Sequence, residues 1–218
     1  MSDRKPLNEQ VLVLLRPDAK KLQALRNERT LVLIKPDAVK RQIVGELITR
    51  FERKGLKLAG MKLVQPTDAT AGQHYTDSEQ WLKDSGERTY NSYLDKGIEP
   101  PMSARELALN TRRKLMEGLQ AGPVVALVLQ GAHVIEIVRK MRGATSPQAA
   151  DVGTIGFDYS VDSYELADAG DWPIRNVIHA SDSAENAERE IKIWFKLGEL
   201  VDYTSGIEQI LYSKEWDK

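Results

Sequence analysis

Of the three histidines in the chain, His74, His133 and His179, one stands among neighbours that suit it for chemistry. An imidazole works as nucleophile or base only where surrounding groups hold its ring, and a histidine without them is read as surface or satisfied core. His179 follows the apolar segment Ile174 to Ile178, which reads as a strand. It precedes the turn Ala180 to Ser183, where Asp182 and Glu185, three residues apart, spell a helix start. In that helix Ala187, Glu190, Ile191 and Trp194 fall at i, i+3, i+4 and i+7, which puts Glu190 on an apolar face. A carboxylate there needs a partner, because an unpaired buried charge is costly. An imidazole N–H is one candidate, and it would leave the other ring nitrogen as nucleophile or base. A rim Lys or Arg is the other. His74 and His133 lack such neighbours and are expected at the surface.

A cation is supplied twice over by near-copies, LVLLRPDAKK (Leu12 to Lys21) and LVLIKPDAVK (Leu31 to Lys40). Each reads as a buried strand that delivers a base into a turn, since Pro cannot continue the ladder. Only the second leads through a turn at Gly45 and Glu46 into an amphipathic helix, with Val44, Leu47, Ile48 and Phe51 on one stripe and Gly55 as its stop. Lys35 is therefore the cation with a site built around it. The first copy reads as an extension that adds an edge strand, contacts a neighbouring subunit or forms a flexible tail.

The elements that must position these groups follow from periodicity. Leu56, Leu58, Met61 and Leu63 alternate with a phase shift at Gly60, a strand with a bulge. Thr67 to Gly122 is mostly helical and polar, broken by GIEPPMS (Gly97 to Ser103), and contains an insertion. GPVVALVLQG (Gly122 to Gly131) is a strand buried on both faces and hence central. AHVIEIVRKMRG is a helix with Val134, Ile135, Val138 and Met141 inward, followed by a Gly, Pro and Ala-rich loop from Gly143 to Gly156 whose length points to function. Strands alternating with helices predict α/β or α+β layering.

Composition narrows the function classes. The 218 residues carry a net charge of -1 with acids and bases interspersed, and no continuous basic stripe with aromatics, which argues against nucleic acid and an anionic membrane as partners. The absence of cysteine rules out disulfides and thiolate chemistry and fits a reducing compartment. No apolar run approaches the roughly 20 residues of a membrane span, and the charged start lacks the apolar middle of a signal peptide, so a cytoplasmic protein is expected.

The segments KPDAVKR, GELITRFERKG, HY, GPVVALVL, RKMRGATSP, GTI, RNVIHASDS, AEREIKIWF and ELVDYT occur in this order between about Glu28 and Tyr212. Together they resemble the nucleoside diphosphate kinase family. The resemblance implies an α/β (α+β) chain with a ferredoxin-like βαββαβ sandwich, helices covering a four-stranded antiparallel sheet. Residues 1–27 would be an N-terminal extension and 28–218 the kinase-like domain, with an inserted segment at about 80–110. It also implies hexamers or tetramers, and ping-pong transfer of a γ-phosphate between nucleoside tri- and diphosphates through a phosphohistidine, with Mg²⁺ on the nucleotide. On this likeness His179 is the phosphorylated nucleophile, Glu190 orients it and Ser181 helps hold the pair. Lys35 reaches the phosphates and a sugar hydroxyl, and Tyr75 lies near the nucleophile. Arg139 and Thr145 bind phosphate, Asn176 binds the sugar, and Arg175 is structural.

Departures from the family pattern are as telling. Where the family writes GTIRGDF, this chain has GTIGFDY, so a phosphate-binding arginine is replaced by Gly156. Losing such a charge-assisted contact costs about 1.5 to 3 kcal/mol, roughly ten- to a hundredfold. Arg142, one helical turn from Arg139, is a candidate substitute, as are Arg112 and Arg113. The alternative is a nucleotide-binding regulatory or scaffold protein with reduced turnover. The family's base-clamping Leu and Phe fall on Leu115 and Thr111, which weakens stacking, with Trp81, Tyr90 and Tyr93 as rings that the inserted part offers. The longer stretch between Tyr159 and Ile174 is expected to be anchored by Trp172.

Overall fold

The computed structural model describes residues 18–212; the strand-like part of the first copy, Leu12 to Pro17, lies outside them. In chain order the elements are α1 (Ala19–Arg26), β1 (Arg29–Ile34), α2 (Pro36–Lys40), α3 (Val44–Arg53), β2 (Lys57–Val64), α4 (Asp68–His74), α5 (Glu79–Asp95) and α6 (Ala104–Gln120). Then come β3 (Val124–Gln130), α7 (Val134–Arg142), α8 (Ile155–Tyr159), α9 (Tyr164–Ala169), β4 (Ile178–Ala180), α10 (Ala184–Trp194) and α11 (Gly206–Tyr212). The four strands form one sheet in the order β2-β3-β1-β4, all neighbours antiparallel, which is the ferredoxin-like arrangement.

Burial on both faces explains why β1 and β3 are unbroken apolar runs. Successive side chains of a strand point to opposite faces. Val32 and Ile34 of β1, with Val125, Leu127 and Leu129 of β3, face a core closed by Leu47 and Phe51 of α3 and Val134, Ile135 and Val138 of α7. Leu31 and Leu33, with Val124, Ala126 and Val128, face a second core closed by Ala71 of α4, Leu119 of α6 and Ile191 and Trp194 of α10. The register shift in β2 lies between Leu58 and Gly60, at the expected bulge. Gly60 is also where the chain's C-terminal part packs closest, for an added Cβ would lie 2.7 Å from Leu200 Cδ2.

Three local readings are corrected. The last strand is not Ile174 to Ile178 but Ile178–Ala180, so His179 sits within the ladder, opposite Leu33. The reason is Val177, whose φ of 70° breaks the extended backbone before the strand begins. Helix α10 is capped by Ser183, whose hydroxyl accepts from Asn186 N, and not by Asp182. Gly45 and Glu46 lie inside the first turn of α3 rather than in a turn before it.

Helices α5 and α6 form a hairpin. Ser103 caps α6 with a reciprocal Glu106 contact, and Arg105 pairs with Glu79 across the two helix starts. Because Leu119, near the end of α6, belongs to the second core, the hairpin is continuous with the sheet and is not an independent appendage. Close approach of the two helices depends on Gly86, where an added Cβ would overlap the Ala104 carbonyl. A methyl group there must push backbone apart, so Gly86→Ala should lower stability by about 1–3 kcal/mol although alanine favours helix. Chemical denaturation of the two proteins measures the difference.

Candidate active site

Strand β4 and helix α10 bring His179 and Glu190 together across eleven residues. Nε2 of His179 donates to Oε2 of Glu190 at 3.0 Å, and the Ser181 hydroxyl donates to the same oxygen at 2.6 Å. Glu190 is 5% exposed, so its charge is neutralised by neighbours rather than by water. Burial pushes the carboxyl up, but hydrogen bonding and charge from His179, then His74 and Ser181, outweigh this and hold it below its ordinary value. The rim alternative is also present in weaker form, since Arg189 Nη2 is 3.5 Å from the other carboxylate oxygen. Ser181 is tied back to β1, where its Oγ accepts from Leu31 N at 3.3 Å. With Nε2 engaged, the proton of a neutral His179 lies on that side and Nδ1 carries the free lone pair.

His74 is not at the surface, contrary to the sequence-based expectation: it is 3% exposed and its ring lies 4.4 Å from that of His179, edge-on at 81°. Trp194 Nε1 donates to its Nδ1 at 3.3 Å, which places its proton on Nε2, a buried atom with no hydrogen-bond partner. Burial first, and the neighbouring His179 second, hold His74 well below its ordinary pKa, so it packs beside the nucleophile candidate as a neutral ring. Tyr75 stacks edge-on against His74 at 4.7 Å. His133 is exposed, as expected.

A second network gathers around Lys35. Lys35 follows β1 as the N-cap residue of α2, and its Nζ donates to Asn176 Oδ1 at 2.6 Å, while Asn176 Nδ2 donates to the Thr145 carbonyl at 2.8 Å. Arg142 Nη2 donates to Thr145 Oγ1 at 3.1 Å. Arg139, one turn earlier on α7, lines a cavity of about 720 Å³ together with Arg142, Asp151, Thr154 and Asp182. Leu115 is half-buried on α6 and joins neither the hydrophobic clusters nor either hydrogen-bond network.

Sequence reasoning gave no role to Asp37. Its carboxylate accepts from Val177 N at 3.1 Å, while Lys35 N donates to the Val177 carbonyl at 2.8 Å. These two bonds hold a β-branched residue in the left-handed region, a conformation that costs energy and persists only when over-determined. The sharp bend turns Asn176 toward Lys35 and leads directly into His179. The signal was present in the sequence as the Asp of KPD. Trp172 does anchor the excursion before β4: its Nε1 donates to the buried Asp162, which also accepts from Arg175 N at 2.8 Å.

A histidine held by a buried carboxylate beside a set of cations defines an α/β protein built to handle a polyanion. A profile described as nucleoside diphosphate kinase matches residues 28–93 and 109–200. The nucleoside diphosphate kinase of Pyrobaculum aerophilum is 41% identical over 199 residues, 89% of this chain and 98% of that protein. The crystal structure of an NDP kinase from the same organism superimposes with a TM-score of 0.77 at 40% identity, covering 81% of this chain and all of the other. A Borrelia burgdorferi nucleoside diphosphate kinase, solved as a transition-state mimic with vanadate and ADP, gives a TM-score of 0.68 at 32% identity, over 85% and 97% of the two chains. The chain belongs to the nucleoside diphosphate kinase family. It is a nucleotide-binding phosphotransferase, and among the described residues no helix is long and apolar enough to cross a membrane.

Lys35 provides a pH signature. Burial lowers its pKa from 10.5 to about 8, with Asp37 opposing the shift and Arg142 adding to it. Between pH 8 and 10.5 the unfolded chain keeps a proton on this lysine that the folded chain has released, so its contribution makes stability rise with pH in that window. Below pH 8 the full penalty of the buried charge remains. Over that window the stability of Lys35→Met should rise with pH less steeply than that of the parent, by up to about 1.4 kcal/mol per pH unit. Urea titrations at pH 7, 8, 9 and 10 measure this.

Proposed function

We propose that the chain transfers the γ-phosphate of a nucleoside triphosphate to a nucleoside diphosphate through a phosphohistidine on His179. The carrying observation is the contact of His179 Nε2 with a buried carboxylate, which reserves Nδ1 for phosphorus. In the first half-reaction the Nδ1 lone pair forms the N–P bond while the Pγ–O bond breaks, and its electrons leave on the β-phosphate oxygen of the departing diphosphate. In the second, a terminal oxygen of the acceptor diphosphate attacks the same phosphorus and the electrons return to Nδ1. Glu190 stabilises the ring as it gains positive charge, and Ser181 fixes that carboxylate.

Lys35, Arg139 and Thr145 are assigned to the phosphates, Asn176 to the sugar and Tyr75 to the wall beside His74. Support comes from the hydrogen-bonded chain Lys35 to Asn176 to Thr145, which joins three of these residues. Leu115 is assigned to the base on family likeness alone. Mg²⁺ is assigned to the nucleotide, where it neutralises phosphate charge. Its oxygen preference suits phosphates better than the one close group of potential ligands among the described residues, His74, His179 and Glu190, which offers two imidazoles and an engaged carboxylate. The Borrelia burgdorferi relative, a transition-state mimic with vanadate and ADP, supports transfer of a phosphoryl group that leaves or joins a nucleoside diphosphate.

Incubation with γ-labelled ATP should leave acid-labile, alkali-stable label on the protein, and His179→Ala should remove it. Absence of label from the parent, or its persistence in the variant, would defeat this mechanism and favour the regulatory reading.

We further propose a homo-oligomer. Strand β2 is a sheet edge on which Met61 and Leu63 are exposed, an arrangement that solitary domains avoid. Light scattering during size exclusion is expected to give a multiple of 24.5 kDa; a monomer contradicts it.

A further inference from the structure

Position 156 carries no side chain, and the structure shows what stands nearby instead. Gly156 is buried in the first turn of α8, where a Cβ would lie 3.0 Å from the Arg142 carbonyl oxygen and 3.5 Å from that of Ala144. The helix end that closes over Gly156 is thus the one that bears Arg142. Two other arginines have been considered for the missing charge, and both are engaged elsewhere. Arg112 donates to the carbonyls of Tyr75 and Gly72, pinning α6 to α4. Arg113 is exposed and pairs with Glu117, Asn110 and Asp171.

Arg142 differs from both. It is half-buried, and its guanidinium is fixed by Nε to the Gly143 carbonyl at 3.3 Å and by Nη2 to Thr145 Oγ1 at 3.1 Å. Thr145 is the residue whose carbonyl holds Asn176, and Asn176 holds Lys35, so one short chain of bonds joins Arg142 to the phosphate-side lysine. No carboxylate lies within salt-bridge distance of Arg139 or Arg142 among the described residues. Burial and then the charge of Arg139 lower the pKa of Arg142, with weaker opposition from Tyr164 and Asp182, and Arg142 in turn lowers that of Lys35. Asp37 beside Lys35 and Asp182 beside the two arginines offset part of this charge without forming an ion pair with Arg139 or Arg142, so an anion with several charged oxygens would complete the site.

We propose that Arg142 is the second phosphate-binding arginine of this chain, its planar fork held by Thr145 and presented to the nucleotide in place of a side chain at position 156. The proposal rests on the phosphate site described above. An arginine suits the task better than a lysine because two of its N–H groups can bond one phosphate at once while a third stays on Thr145.

Arg142→Gln keeps most of the stem and removes the charge; Arg142→Lys keeps the charge and removes the fork. The kcat/KM for ATP is expected to fall about ten- to a hundredfold in Arg142→Gln and less in Arg142→Lys, with Arg113→Gln unchanged. Binding is read separately from chemistry on the His179→Ala background, where equilibrium dialysis with MgATP should show dissociation constants raised about tenfold or more by Arg142→Gln. A folded Arg142→Gln protein with kcat/KM within about threefold of the parent, or with unaltered MgATP affinity on that background, overturns the proposal. If Arg142→Gln does not fold, Arg142→Lys decides: a loss in kcat/KM and affinity supports the fork, and parental values overturn it. Failure of the phosphohistidine reading shows up differently, as label that survives His179→Ala, and leaves the dialysis result standing.

Discussion

The carboxylate of Glu190 is the constraint on which the site turns. It is buried on the apolar face of α10 between Ala187, Ile191 and Trp194, where a charge without partners is untenable. One of its oxygens accepts from both His179 and Ser181. Because Ser181 is also bonded to Leu31, satisfying that carboxylate fixes the distance between α10, the end of β4 and the centre of β1. The register of β4 on β1 and the rotamer of the histidine are therefore determined together. His74 completes the arrangement from α4. Burial, and then the neighbouring His179, hold it well below its ordinary pKa, and Trp194 fixes its tautomer by donating to Nδ1.

On the opposite side of the site, cations stand close together. Lys35 is desolvated and lies near Arg142, which itself lies near Arg139. Burial first, and then the neighbouring Arg139, lowers the basicity of Arg142, while at Lys35 burial dominates and Asp37 opposes it. The two halves thus differ in design. The histidine half pairs its buried carboxylate within the protein, whereas Arg139 and Arg142 form no ion pair among the described residues. The strained Val177 links the two, since its carbonyl and N–H are held by Lys35 and Asp37 while the next residues enter the histidine strand.

Much of this was legible in the residues alone because period and burial coincide. The runs of β1 and β3 are apolar at every position because both faces are covered, and the stripe through Glu190 is apolar for the same reason. The bulge at Gly60 left its mark as a change of phase. What escaped depended on partners distant in sequence. His74 looked isolated because Trp194, which holds it, is 120 residues away. The start of β4 was misplaced because a valine forced to positive φ has no sequence signature of its own. Arg112 looked available because its acceptors are main-chain carbonyls on another helix, which composition does not reveal. Caps were misread by one residue because Asp182 and Ser183 are both competent, and only the backbone selects between them.

The near-copies at the start of the chain show how one short phrase acquires different meanings. In both, an Asp follows Pro at the start of a helix. Asp18 spends its carboxylate locally, accepting from Lys21 N at 2.9 Å and capping α1. Asp37 leaves its own helix without a side-chain cap and bonds Val177 instead, 140 residues away. The same residue type in the same setting thus stabilises a helix end in one case and a functional bend in the other. The difference lies in the neighbours, because Asp37 has the strained main chain of Val177 within reach. The α1 helix is in turn held by contacts unrelated to nucleotide chemistry, with Arg26 paired to Glu208 and lying over the Tyr212 ring. A repeated motif is therefore weak evidence for a repeated site unless the second partner of each copy can be named. Here the long-range partner belongs to Asp37, and the cation two residues before it bonds Asn176, next to the bend that Asp37 holds.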